Sequence, residues 1–164
     1  LEKQSIGGSL ADQAAVFIAV AREKSMNRKI LVVLTSVEKY PNLNRATGLW
    51  LGEAVHFVKK VEAAGYAVDY VSPKGGYTPI DPHSLAMAEP IDWEWYQKKE
   101  FMNRLGATLA PSEVKPDDYA AIYYAGGHGV IWDFPRTKPC NASAARFTNE
   151  AASSRRYAME SWAC

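Results

Sequence analysis

Ile122-Tyr123-Tyr124-Ala125-Gly126-Gly127-His128-Gly129, followed by Trp132-Asp133-Phe134-Pro135, is the stretch on which the fold turns. An apolar run stops abruptly in a Gly-Gly-His-Gly turn. That is the pattern of a buried strand opening into a loop whose backbone must approach something closely. Upstream, Ile30-Leu31-Val32-Val33-Leu34-Thr35 is a second continuous apolar run, partly β-branched, as in a strand covered on both faces of a parallel sheet. Ala67 to Val71 predicts a strand between these two, and the third strand is expected over 118–125. A helix is predicted from Thr47, as cap, to about Ala64, with Gly65 as its stop. Along it Trp50, Ala54, Phe57, Val58 and Val61 share one face. A long segment broken by Pro73, Gly75, Gly76, Pro79, Pro82 and Pro90 follows the second strand. Asp92 is read as the cap of a further helix running to about Leu105. Strand, helix, strand, insertion with helix, strand is the alternation of a doubly wound α/β sheet.

The composition narrows the function classes. Of the 164 residues, 48% are apolar and 23% charged, an ordinary globular balance. The formal net charge of +1 gives no electrostatic reason to expect a nucleic acid or an acidic membrane as partner. The apolar run Ala14 to Ala21 is too short to span a bilayer, which takes roughly 20 residues. The basic residues flanking that run, Arg22 and Lys24, follow it, against a signal peptide. Met26-Asn27-Arg28-Lys29 directly precedes the first strand, so residues 1–25 are read as an N-terminal extension and residues 26–135 as the α/β domain. Cys140 and Cys164 show neither metal nor disulfide spacing, and a reducing, cytoplasmic setting is expected.

Several residues can carry chemistry. Glu53 falls about 60° from Trp50 at ~100° per residue, at the edge of the apolar helix face beside Phe57. A partly desolvated carboxylic acid there suits proton transfer; a peripheral Glu reaching water is the alternative. Gly126 and Gly127 lie at the C-terminal edge of the sheet, where open α/β folds place their sites, and their amides can point at a ligand or a developing oxyanion. The alternative is a plain strand-to-helix turn. His128 can act as base or ligand, or serve structure alone. Glu53 and His56 make an E-x-x-H pair on one helix, which binds metal only with further ligands, so no metal or other cofactor is expected. The acidic, aromatic run Asp92-Trp93-Glu94-Trp95-Tyr96 reads as a capped helix start with partly buried rings, or as a pocket or dimer lining.

Four separated motifs together resemble the PfpI-type, class I glutamine-amidotransferase-like superfamily. They are Thr47 through His56, Gly65 through Pro73, Asp81-Pro82-His83-Ser84-Leu85, and Asp117 through Pro135. The branch is that of glyoxalase III and the heat-shock chaperones related to the Parkinson-disease deglycase, and the likeness covers roughly residues 28–135. The resemblance implies a flavodoxin-like fold, a homodimer, and a small-molecule aldehyde as partner. It implies glutathione-independent conversion of methylglyoxal or a related 2-oxoaldehyde to a 2-hydroxy acid, D-lactate for methylglyoxal. In such proteins a Cys thiolate on a strand-to-helix elbow attacks the aldehyde, and the His next to it assists. A Glu on the first helix shares a proton with the sulfur and carries protons through an enediol. Glu53 matches that Glu, and the amide of Gly127 matches part of the oxyanion site. Protein deglycation, glutamine-amidotransferase-like hydrolysis and a non-catalytic holdase or pseudoenzyme fragment are the alternatives.

The elbow is where the sequence departs. Its expected place holds Tyr157-Ala158-Met159-Glu160-Ser161-Trp162-Ala163-Cys164, without a His and without a preceding apolar strand. Yet Tyr-Ala-Met-Glu is encoded TAY GCN ATG GAR, and read from the third Tyr base TAT GCC ATG GAR becomes TGC CAT GGR, Cys-His-Gly. The same offset from Arg136 permits an amphipathic helix, a glycine stop and Val-Val-Ser-Ala-Val before that Cys. The hypothesis is that the reading frame slips by one nucleotide near Pro135. Residues 136–164 are then an aberrant, disordered tail on a sheet truncated at its C-terminal side. Exposed strand edges and marginal stability are expected of such a chain.

Overall fold

The structure, a computed structural model, describes residues 29–134 and the backbone of one further strand at 158–160. The expected extension at 1–25, both cysteines and the rest of the tail lie outside the described residues. The sheet is parallel throughout, with strand order β2-β1-β3-β4. β1 is Lys29–Val33, β2 Val68–Val71, β3 Tyr119–Tyr124 and β4 Ala158–Glu160. This is the flavodoxin-like order, and its direction reverses between β1 and β3. The crevice beyond the carboxyl ends of those two strands is where such sheets bind ligands.

β-branched and aromatic residues make these strands for a physical reason: each face of the sheet is buried. Ile30, Val32 and Leu34 point to one face with Val68, Tyr70 and Tyr123. Leu31, Val33, Val71 and Ile122 point to the other, with Leu109, Val114 and Phe134 against them. Helix α1, Leu51–Ala63, covers the first face with Leu51, Ala54, Val55 and Val58. Gly65 follows with φ 85°, the left-handed stop expected of it.

The insertion between β2 and β3 folds as three short helices. They are α2 at Pro82–Ala86, α3 at Pro90–Tyr96 and α4 at Lys99–Gly106. The single helix expected from Asp92 to Leu105 is thus two, broken at an extended Lys98. Packing explains the break. On one continuous helix Trp95 and Phe101 would sit about 120° apart. Broken, the chain brings both into the core with Leu105, the two rings meeting edge-on at 5.2 Å. Asp92 is not the cap either: it is the third helical residue, and its carboxylate accepts from the amide of Glu89. Leu105 is 1% exposed. Leu105→Ala is expected to cost about 2–5 kcal/mol, read as a lower urea midpoint at unchanged slope.

β4 extends the sheet beyond β3: Ala158, Met159 and Glu160 lie in parallel register with Ile122, Tyr123 and Tyr124. The outer edge of β3 offers a row of unpaired amides and carbonyls, and three residues suffice to ladder onto it without any apolar run of their own.

Candidate active site

The amino-terminal end of α1 sits at the switch point, and its position is set by chain segments far away in sequence. Leu49 donates to the carbonyl of Pro79 at 2.8 Å, and Asp81 donates to the carbonyl of Leu49 at 2.9 Å. The amide of Leu51 donates to the hydroxyl of Ser84 at 3.1 Å. The amide of Trp50 donates to the carbonyl of Gly126 at 3.0 Å. Two donors at the helix start, the amides of Trp50 and Leu51, are therefore satisfied by the glycine loop and by the insertion. This is why Thr47 does not cap the helix as expected. The helix begins only at Leu51, with Trp50 as its cap residue, and the Thr47 hydroxyl donates to Asp81 instead, at 3.0 Å.

Glu53 lies in the first turn of α1, half-buried. Its carboxylate accepts from the amide of Gly126 at 2.6 Å. Helix and loop are thus joined twice: Gly126 donates to Glu53 and accepts from Trp50. The loop is tight at both glycines. A Cβ on Gly126 would collide with the Glu53 carboxylate, and one on Gly127 would collide with the carbonyl of Gly48 and the amide of Trp50. Gly127 also has φ 141°, a region side chains disfavour. Beneath, Tyr123 lies flat on Phe57 at 3.7 Å and donates to the Glu53 backbone carbonyl at 3.5 Å.

The structure separates the E-x-x-H pair. Glu53 turns to the glycine loop, whereas His56 lies 3.4 Å from the buried Asp92 carboxylate and 3.6 Å from Glu89. Among the described residues, no group of three or more His, Cys, Asp or Glu is placed to hold a metal ion.

His128 does not join Glu53. Its Nδ1 lies 3.2 Å from Oδ2 of Asp81. Asp81 is the residue that reading the sequence missed, although Asp-Pro ahead of a helix is a cap signature with Pro in its first position. It caps α2, accepting from the amide of His83 at 2.8 Å. Burial alone would push the Asp81 carboxyl up. Hydrogen bonds from the His83 amide, the His128 ring and the Thr47 hydroxyl outweigh burial and hold it below the usual carboxylate range. A depressed carboxylate stabilises the fold above its unfolded pKa and stops doing so as pH falls through its folded one. Asp81→Asn is therefore expected to cost about 1–3 kcal/mol near neutral pH, shrinking steadily below about pH 4, in urea titrations across pH.

A second missed carboxylate, Asp133, ties the end of this loop to the end of β1. It accepts from the Thr35 hydroxyl and the Ser36 amide, both at 2.8 Å. Burial pushes its carboxyl up against those hydrogen bonds. Trp50, His83 and His128 cluster over Asp81, Trp50 meeting the two imidazoles edge-on at 5.5 and 6.1 Å.

Known proteins resemble the chain in sequence or in fold. The chain is 31% identical over 117 residues to the glutathione-independent glyoxalase HSP31 of Saccharomyces cerevisiae, a match spanning 68% of this chain and 48% of that protein. It is 29% identical over 115 residues to glyoxalase 3 of Candida albicans, spanning 67% and 48% respectively. The chain thus spans about half the length of the curated relatives it matches. Among solved structures, the Rapid Encystment Protein 24 KDa of Francisella tularensis superposes with a TM-score of 0.73 at 28% identity, covering 81% of this chain and 57% of that one. Glyoxalase III of Candida albicans shares the fold, with a TM-score of 0.69 at 24% identity over 82% and 56%. No family model matches the chain.

Proposed function

Because this chain belongs to the glyoxalase III branch of the PfpI-type superfamily, we propose that its α/β domain serves the glutathione-independent conversion of methylglyoxal, or a similar 2-oxoaldehyde, to a 2-hydroxy acid. The observation that carries this reading is the 2.6 Å contact between the Glu53 carboxylate and the Gly126 amide at the sheet's switch point. The reaction moves hydrogen within one molecule. A thiolate adds to the aldehyde carbon, and that carbon's proton leaves to give an enediol. The neighbouring carbon takes a proton, reducing the ketone while the former aldehyde becomes a thioester. Water then releases the acid and the thiol. Such a path needs a carboxyl group that gives and takes a proton within reach of both carbons, and that is the role we assign to Glu53. The glycine backbone next to it is suited to the oxygen that gains charge: we assign Gly126 and Gly127 to substrate, with the Gly127 amide as an oxyanion donor. His128 stands at the rim of the same site as a substrate-binding residue.

The thiolate is what this reading lacks. The only thiols in the sequence are Cys140 and Cys164, and neither stands in a Cys-His-Gly elbow. We propose that the elbow lies in the alternative frame beyond Pro135 and that this polypeptide is inactive as it stands. The same domain without its thiolate is a non-catalytic binder, a holdase or pseudoenzyme. Protein deglycation would use the same thiol and fails with it. A homodimer goes with this reading through the family resemblance, and a cytoplasmic setting through two cysteines without disulfide spacing. The coding DNA from the Pro135 codon onward tests it. Third bases that spell a helix, a β-branched strand and Cys-His-Gly in the offset frame are expected, and bases that spell neither would refute the slip.

A further inference from the structure

Asp81 fixes more than a helix end. Both of its oxygens are occupied by donors: Oδ1 by the His83 amide, and Oδ2 by the Thr47 hydroxyl and His128 Nδ1. An ionised carboxylate has no proton to give, so the hydrogen between it and the imidazole belongs to Nδ1. A neutral imidazole carries only one such hydrogen. Nε2 is then a bare lone pair. It has no partner among the described residues, on a side chain 46% exposed at the rim of the site. Flipping the tautomer would set two lone pairs against each other at a buried carboxylate, at the cost of a charge-assisted hydrogen bond.

We propose that His128, held in the Nδ1–H form by Asp81 as its positioning residue, accepts a hydrogen bond at Nε2 from a hydroxyl of the substrate. This deepens the glyoxalase reading and rests on it for the identity of the ligand. A 2-oxoaldehyde in water carries such hydroxyls on its hydrated aldehyde carbon, and an enediol carries two. The division of labour follows. Oxygens that gain negative charge go to the Gly127 amide, which donates; the Gly126 amide is already engaged by Glu53. Hydroxyls that carry hydrogen go to His128, which accepts. His128 is on this account not an oxyanion donor, because a bare nitrogen facing a developing negative charge repels it.

The test reads the imidazoles directly. The chain has three histidines, His56, His83 and His128, so each pair of ring nitrogens is assignable by nitrogen-15 NMR through loss of signal in a His→Gln variant. The probe is hydroxyacetone, which presents a hydroxyl beside a ketone and does not need turnover. About two pH units above the ordinary histidine pKa, His128 is expected to show a protonated Nδ1 and a bare Nε2. Hydroxyacetone is expected to move its Nε2 resonance saturably upfield while leaving His56 in place. Asp81→Ala is expected to shift His128 toward the Nε2–H form and to abolish the hydroxyacetone response. Should that variant fail to fold, the unmodified chain decides alone. A protonated Nε2 in it, or an Nε2 indifferent to hydroxyacetone, overturns the proposal. Neither reading depends on methylglyoxal being consumed, so an inactive chain can still pass, and an active one can still fail.

Discussion

Gly127→Ala is expected to lower the stability of the domain by about 2–6 kcal/mol, the sum of backbone strain and overpacking. Two independent observations set that size. The residue has φ 141°, and the added methyl would meet the carbonyl of Gly48 and the amide of Trp50. Both obstacles are backbone, so no side-chain rotation relieves them. What must move is the junction where Trp50 donates to Gly126 and Gly126 donates to Glu53. Loss of stability and loss of the Glu53 contact are therefore coupled. Gly65→Ala is the control. It shares a positive φ, at 85°, but nothing lies within 4 Å of its would-be Cβ. Its cost is limited to the left-handed backbone, about 1–2 kcal/mol. Urea denaturation of the two variants measures the difference. Equal losses would mean that the glycine loop is not wedged against the start of α1.

The second large effect concerns proton transfer. In a protein whose frame is restored beyond Pro135, Glu53→Gln is expected to lower kcat/KM for methylglyoxal on the order of 10²- to 10⁴-fold, the range for removing one positioned proton carrier. The amide side chain keeps the shape and can still accept from Gly126, so the fold should hold. The far-ultraviolet spectrum and the urea midpoint check that point. Activity within a few-fold of the parent would show that Glu53 only anchors the loop. The kinetics must make the distinction, because the same 2.6 Å contact with Gly126 serves both an anchoring and a catalytic reading.

The parts of the fold that rest on local pattern were legible in the sequence. Strand β1 follows from Ile30 through Leu34, helix α1 from its apolar face, and its end from Gly65, because each is decided by residues next to one another. Glu53 was placed correctly at the margin of the buried face, and the glycine loop at the end of β3. The misses share a cause: each was decided by tertiary packing and not by local pattern. Thr47 does not cap α1 because Asp81, 34 residues on, takes its hydroxyl. The helix expected from Asp92 breaks at Lys98 because Trp95 and Phe101 must enter one core. Asp133 reaches back across 98 residues to Thr35. β4 forms because β3 has an edge to fill, which its own three residues do not announce.

The central proposal is that Glu53, beside the glycine loop, serves a thiolate encoded in the alternative frame beyond Pro135. The most direct measurement is D-lactate formation from methylglyoxal, without glutathione, by this chain and by one with the frame restored at Pro135, side by side at equal concentration. The account predicts no lactate above the buffer rate from the first and steady turnover from the second. Comparable turnover by both would contradict it, and would point to Cys140 or Cys164 as a nucleophile.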